Sequence, residues 1–509
     1  MRRPLVSRPY VGAWVVLLWT VAVGQRTYRY FFGVDPSLSL AGPPWEWLSV
    51  VRSAPDDRLG VNYYVYHYAA EAALAGEDFY NAPPPGETDF YTFLYPPITV
   101  LGYVPFTALE PFHGYLVHTA LTLVACAVAT AVLVRYLDGH DVALGWIDVG
   151  AVFLFIVAGT HSTGTIHFGN VNLLLAAAIL GGFVALERGR ETLGGALFGV
   201  VALVKVFPTL LGFYLLRIRS WRGVAGAVGV GGGGLLASVV VFGPDTLRRF
   251  FVDVLLPRGE TAAFVGGYAP DDTYYVTIQR PLSHVIWTLS PDAPATLLPV
   301  AALAVLAPVV GYCYLDVDDW VDRLVAAHAT LVATIVFKPA LRWYLVFAVV
   351  TWVALLYVWH DEPDSPKRGG AILAGLGVLA GAYLWNPAAV WSHPVLVVGF
   401  AGAFFVGLYA WYGDPVGPTF VLGGLVASVT TSPDSLLSRA ASYPEPLATL
   451  LEPLYAVGTM QLYGLLLTLG ACVLYKSRQG VGVASLLRAA RTLRRDLDAG
   501  ARTLRERVA

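Results

Sequence analysis

The sequence predicts an all-α polytopic membrane protein of about 12–14 transmembrane helices, each apolar run having to carry about 20 residues across a bilayer. Three observations predict it. Of the 509 residues 56% are hydrophobic and only 13% charged, and apolar runs approaching or exceeding the spanning length recur along the chain. The arginines and lysines gather in short clusters between those runs: Arg2, Arg3 and Arg8; Arg188 and Arg190; Arg217, Arg219 and Arg222; Lys367 and Arg368; and the tail from Lys476. Such clusters mark cytoplasmic loops.

One threading puts every cluster inside. Its spans run at 10–25, 113–135, 145–160, 171–187, a short pair at 193–204 and 207–217, then 223–243, 296–315, 323–337, 343–359, 369–385, 394–412, 417–431 and 450–475. The basic start of "MRRPLVSRPYVGAWVVLLWTVAVGQ" enters from the cytoplasm, and without a small-residue cleavage site before Arg26 it reads as an uncleaved first span. The short pair is required because one long helix there would carry "RIRSWR" outside. "PPITVLGYVPFTALEPF", with its four prolines, reads as a re-entrant or surface-lying piece. Both termini are then cytoplasmic, and the loops 26–95 and 244–295 face outside with the turns "HSTGTIHFGN", "VKVFP" and "FKPALRWY".

Three organisational units are expected: a transmembrane module over 1–360 that holds the candidate site residues, additional transmembrane helices over 361–475, and a basic tail over 476–509. The tail carries nine basic and three acidic residues, with Leu486, Ala490, Leu493, Leu497, Leu504 and Val508 near one helical face. It reads as an amphipathic helix on anionic lipid, so membrane lipids are expected partners and nucleic acid is not. Cys126, Cys313 and Cys472 are far apart inside apolar runs, which argues against a disulfide framework or zinc site.

Cations at membrane depth cost about 2.5–3.5 kcal/mol on insertion scales, so they mark function or snorkel to an interface. Lys205 interrupts one apolar run, and Lys338 with Arg342 interrupts another, each close to a proline that frees backbone carbonyls. The threading brings all three to the outer face as a convergent cationic site. His161, His167, Asn170 and Asn172 lie at the same face; Asn170 is placed to cap the helix that follows, and the polar side chains are candidate ligand donors. The histidine pair lacks a third ligand nearby, so no metal is assigned to it. "GVGGGGLL" at 229–236 reads as close helix packing rather than a phosphate cradle. "DVDDW" contains an Asp-x-Asp but falls on a short cytoplasmic turn away from the other candidates. The tyrosines of "VNYYVYHYAAEAALAGEDFY", among them Tyr63, Tyr64, Tyr66 and Tyr68, suit a helix lying at headgroup level.

In order and approximate spacing, "NYYVYHYAAEAALAGEDFY", "FLYPPITVLGYVPF", "HFGNVNLLLAAAIL", "LVKVFPTLLGFYLLRIRSW", "YYVTIQRPLSHVIW" and "FKPALRWYLV" resemble glycosyltransferase family 87 over roughly residues 10–360. The resemblance implies a GT-C-like bundle with long extracellular loops. It also implies a transferase that takes a hexose, mannose above all, from a polyprenyl- or dolichyl-phosphate sugar to a lipid or glycan acceptor, that donor being a substrate, so that no cofactor is expected. Its family pattern places a catalytic aspartate in the first outer loop, where this chain has Asn62; an amide cannot act as a general base at neutral pH. Asp56 and Asp57, five and six residues upstream, are the candidate substitutes. Asn170 stands where the family commonly has glutamine. Lys205, Lys338, Arg342, His167, Asn170, Asn172, Tyr66 and Tyr95 are the expected substrate-binding residues. A catalytically silent relative or assembly factor is the alternative reading, and a small-molecule transporter a further one.

Overall fold

The computed structural model describes residues 59–84, 91–259, 275–359, 416–428, 458–482 and 485. Expectations that fall on the first span, on Asp56 and Asp57, on the spans at 369–385 and 394–412 and on most of the tail lie outside those residues. Within them the chain is helical, apart from one two-residue antiparallel pairing of β1 (Tyr275–Val276) with β2 (Ala340–Leu341).

The helices are α1 (Val61–Ala75), α2 (Pro111–Asp138), α3 (Trp146–Ala158), α4 (Thr160–His167), α5 (Asn172–Glu187), α6 (Glu191–Val204), α7 (Leu211–Arg217), α8 (Trp221–Phe242) and α9 (Pro244–Arg249). A π-helical turn, Phe250–Leu255, follows α9. After it come α10 (Gln279–Leu289), α11 (Leu297–Cys313), α12 (Trp320–Phe337), α13 (Val346–Trp359), α14 (Val416–Ser428) and α15 (Met460–Arg478). The four-proline stretch forms a 3-10 segment, Pro97–Ala108, lying against α1 and α8.

Among the described residues four stretches are long and apolar enough to cross a membrane: α2, α8, α12, and Arg342–Trp359, which is α13 with the 3-10 turn before it. The pair formed by α3 and α4, bent by 57°, makes a fifth if it is one broken span. The segments expected to span at 171–187, 193–204 and 296–315 form α5, α6 and α11, which are apolar but short. At 1.5 Å per residue the 14 residues of α6 rise only about 21 Å, less than the roughly 30 Å hydrocarbon core.

Local chemistry sets the boundaries. Ser220 caps α8 by accepting from the Gly223 N–H (3.2 Å) and donates its own hydroxyl to Glu191 at the start of α6 (2.9 Å). Glycines then let these two helices touch along their backbones: a β-carbon on Gly195 would run into the Gly223 carbonyl, and one on Gly226 into that of Thr192. Within the glycine-rich run itself only Gly234 is tightly packed, a β-carbon there striking the Leu203 side chain of α6, while Gly229, Gly232 and Gly233 have nothing within 4 Å, so close packing holds at one end of the run and not along it. Most of the apolar spanning window of α12, 78% of it, is buried, against 11% for α8, which puts α12 at the centre and α8 at the periphery. α13, α14 and α15 share the same core through Phe347, Phe420, Leu465 and Cys472.

The "DVDDW" turn is structural. Asp319 accepts from the Asp322 N–H (2.7 Å) to cap α12, and the buried Asp322 carboxylate pairs with Lys476 of α15 (2.8 Å). Lys476, read from sequence as the first of the tail's lipid-facing cations, is fully buried. The tyrosine-rich helix likewise departs from a purely interfacial reading. Tyr64 and Tyr68 are half-buried, but Tyr63 and Tyr66 lie in the interior, because the other side of α1 packs against the 3-10 segment and α2.

Candidate functional site

The site begins where α1 starts. The first N–H groups of a helix have no intrahelical partners, and here the turn after α4 supplies them. Gly60, in the left-handed region at φ 75°, donates to the His167 carbonyl (2.8 Å), while Asn62 (2.8 Å) and Tyr63 (3.2 Å) donate to the Phe168 carbonyl. The Tyr115 hydroxyl on α2 donates to the Ile166 carbonyl (3.1 Å) in the same turn. Gly169 makes the approach possible: its φ is 68°, and a β-carbon there would strike the Tyr63 side chain. As the sequence suggests, Asn170 serves the next helix, its side-chain oxygen accepting from the Asn172 N–H (3.2 Å). Asn172 is itself fully buried, with neither amide atom of its side chain hydrogen-bonded. Phe168 packs edge-on against Trp343 (5.5 Å between ring centres), tying this turn to the segment after β2.

A buried ammonium lies at the second break. α6 stops at Val204, Lys205 takes an extended conformation (φ −130°, ψ 117°), and Pro208 sits inside the 3-10 turn Phe207–Leu210 that starts the next helix. The break turns Lys205 into the interior, where it is 7% exposed. Its Nζ donates to the Tyr344 hydroxyl (3.3 Å) and lies 4.7 Å from the Tyr344 ring centre and 5.3 Å from that of Tyr95. Tyr95 in turn shares a hydroxyl–hydroxyl bond with Tyr66 of α1 (2.8 Å), and the Tyr80 hydroxyl donates to its carbonyl (2.9 Å). Tyr66 also packs 4.6 Å from Tyr103. Burial raises the Tyr66 phenol well above its ordinary pKa, so it stays a neutral hydroxyl at neutral pH.

These described partners of Lys205 are phenols. Phenols solvate an ammonium through their oxygens and ring faces without cancelling its charge. A desolvated cation held this way is poised to take an anion, since burial is costly until a counter-charge arrives.

The structure therefore brings together Tyr66, Tyr95 and Lys205, and places Arg342, half-buried, on the same short turn as Tyr344. That turn is pinned by the β1–β2 pairing and by a strap over the end of α12. In the strap the Ile278 N–H donates to the Val336 carbonyl (2.9 Å) and the Gln279 side chain to that of Phe337 (2.7 Å). Lys338 ends α12 with its side chain exposed. His167, Asn170 and Asn172 are buried in the turn that holds α1, with Asn62 half-buried beside them. Tyr344, Tyr103 and Tyr80 were missed in the sequence. Their signal, a tyrosine near each proline-broken segment, becomes legible only once the segments are folded together.

Residues 93–339 match glycosyltransferase family 87. That segment, a little under half of the chain, is similar to the family. Lys205, Lys338 and Tyr95 fall inside the family segment, and Asn62, Tyr66, Arg342 and Tyr344 just outside it. A similar protein from Mycobacterium tuberculosis (strain CDC 1551 / Oshkosh) is a polyprenol-phosphate-mannose-dependent α-(1-2)-phosphatidylinositol pentamannoside mannosyltransferase. It is 26% identical over 296 residues, covering 56% of this chain and 62% of the relative, so the chain spans less than two thirds of that protein's length. A protein of the same description from Mycolicibacterium smegmatis is 26% identical over 358 residues, covering 68% of this chain and 79% of its own. No solved structure matches.

Proposed function

We propose that the chain is a membrane glycosyltransferase. It moves a hexose, mannose in the first instance, from a polyprenyl- or dolichyl-phosphate sugar to a lipid or glycan acceptor at the outer face of the cell membrane. The observation that carries this reading is the buried Lys205 ammonium, held by phenols at a proline-broken helix end inside the family 87 segment. Nucleotide sugars are not available outside the cell, so a transferase working there needs a lipid-linked donor whose leaving group is a phosphate. In the reaction the bond from the anomeric carbon to the phosphate oxygen breaks, the acceptor oxygen bonds to that carbon, and the acceptor proton passes to a carboxylate. A single displacement inverts the anomeric centre. Lys205 and Arg342 bind the departing phosphate, whose bridging oxygen gains charge as the bond opens. Lys338, exposed at the end of α12, contributes at the rim. Tyr66 and Tyr95 line the donor pocket, and His167, Asn170 and Asn172 hold the turn against α1.

The proton acceptor in this reading is Asp57 or Asp56, upstream of Asn62. Asp57→Asn or Asp56→Asn should lower turnover by about 10²–10⁴-fold, the usual worth of a general base. The measurement is radiolabelled mannose transfer from polyprenyl-phosphate mannose to extracted lipid acceptors by the purified protein. Full activity in both variants would move the base elsewhere. Asn62 itself favours a second reading, a catalytically silent relative. In that case the wild-type chain transfers nothing and Asn62→Asp gains transfer.

Orientation has a separate test. The three native cysteines are buried, so a cysteine placed at the exposed Glu77, after α1, should report almost alone. An impermeant maleimide should label Glu77→Cys in intact cells. Labelling only after the cells are opened would put α1 inside and end the outer-face reading.

A further inference from the structure

Resting on the reading of Lys205 as the cation for the donor phosphate, we infer that Tyr344 is a positioning residue that aims the Lys205 ammonium. Three features carry this. The Tyr344 hydroxyl accepts a hydrogen bond from Lys205 Nζ at 3.3 Å, and its ring centre lies 4.7 Å from the same atom, so one side chain constrains both the direction and the distance of the charge. The Tyr344 ring is itself fixed. Phe207, two residues beyond Lys205 at the same helix break, meets it edge-on at 5.0 Å, and Phe347 stacks on it at 6.0 Å. Finally, the turn Arg342–Leu345 that bears Tyr344 follows directly on β2, whose pairing with Tyr275–Val276 anchors its backbone.

A lysine side chain has four rotatable bonds, and a phosphate needs its ammonium at one place. An ammonium has three donors. With one committed to Tyr344 and another side facing Tyr95, the remaining donor is directed at an incoming oxygen. A carboxylate in place of the phenol would aim the ammonium equally well but would neutralise the charge the phosphate has to meet. The phenol gives direction and leaves the charge intact. Alignment of this kind acts on the rate more than on affinity, because a loosely held ammonium still finds the phosphate but meets the bridging oxygen less often as the bond breaks.

Tyr344→Phe removes only the hydroxyl and keeps the ring between Phe207 and Phe347. It should lower kcat about tenfold while leaving KM for the donor nearly unchanged, as loss of orientation rather than of contact requires. The experiment measures kcat and donor KM together with equilibrium binding of unreactive polyprenyl phosphate, on wild type, Tyr344→Phe and Lys205→Ala, with thermal unfolding of each in detergent. Loss of polyprenyl phosphate binding in Lys205→Ala, with the kcat-only defect in a Tyr344→Phe protein that unfolds as wild type does, supports the assignment. Wild-type kinetics in Tyr344→Phe alongside a Lys205→Ala that no longer binds would overturn the role of Tyr344 and spare the phosphate reading. A Tyr344→Phe that loses donor affinity as severely as Lys205→Ala, or that unfolds early, also overturns it, by making the residue a direct ligand or a structural one. Undiminished polyprenyl phosphate binding by Lys205→Ala would remove the phosphate reading, and with it the inference.

Discussion

Replacing Lys205 by alanine should cut glycosyl transfer by about 10²–10³-fold, the usual cost of deleting one preorganised group from a site of developing negative charge. The size follows from the burial of this cation. An exposed lysine shares its work with water, whereas Lys205 is 7% exposed and ringed by phenols, so its field reaches a phosphate with little screening. Lys338, whose side chain is exposed, should matter less, and Lys338→Ala in the same assay provides the contrast. Initial rates with polyprenyl-phosphate mannose decide the point. A Lys205→Ala protein that is correctly inserted and as fast as wild type would reduce this lysine to a packing feature.

The largest loss of stability is expected at the far end of the core. Lys476→Ala removes a fully buried side chain whose Nζ donates to the Asp322 carboxylate (2.8 Å), the Asp316 carbonyl (2.9 Å) and the Gln479 side chain (3.5 Å). Asp322 is only 4% exposed, and with its cation gone it becomes a buried charge left to neutral donors such as the Asp318 N–H (3.3 Å). Breaking a buried pair from one side costs about 3–5 kcal/mol, most of it the penalty on the partner left behind. Thermal unfolding in detergent should therefore show a clear fall for Lys476→Ala and a smaller one for the double variant Lys476→Met with Asp322→Leu, which removes both charges together. Equal melting of wild type and Lys476→Ala would mean that water reaches this pair.

Much of the helical plan was legible in the sequence because its signals are local. The run read as 171–187 is the helix Asn172–Glu187, and the basic stretch "RIRSWR" forced a split of the preceding hydrophobic run that the structure shows at Lys205. Asn170 was correctly read as serving the next helix, since an amide side chain two residues upstream is a short-range device. What was not legible depends on partners distant in the chain. Nothing near Tyr344 announces that its hydroxyl meets Lys205, 139 residues away in sequence, or that Lys476 answers Asp322 across 154. Tyr63 and Tyr66 look like their neighbours Tyr64 and Tyr68, and only the seating of the 3-10 segment Pro97–Ala108 on one side of α1 decides which of them are buried.

The hydrogen bonds at the start of α1 carry a consequence for how the protein is made. The N–H groups of Gly60, Asn62 and Tyr63 find their acceptors on His167 and Phe168, which the ribosome reaches only after roughly a hundred more residues, several seconds later at 5–20 residues per second. Through that interval α1 has emerged with its amino end unanswered, and the intervening helix α2 has to be inserted first. The tyrosine-rich helix is thus seated late, by chain that was threaded after it. A nascent protein stalled before the turn at 167–168 should hold the Lys205 half of the site in no form at all, and α1 only as a helix waiting at the surface.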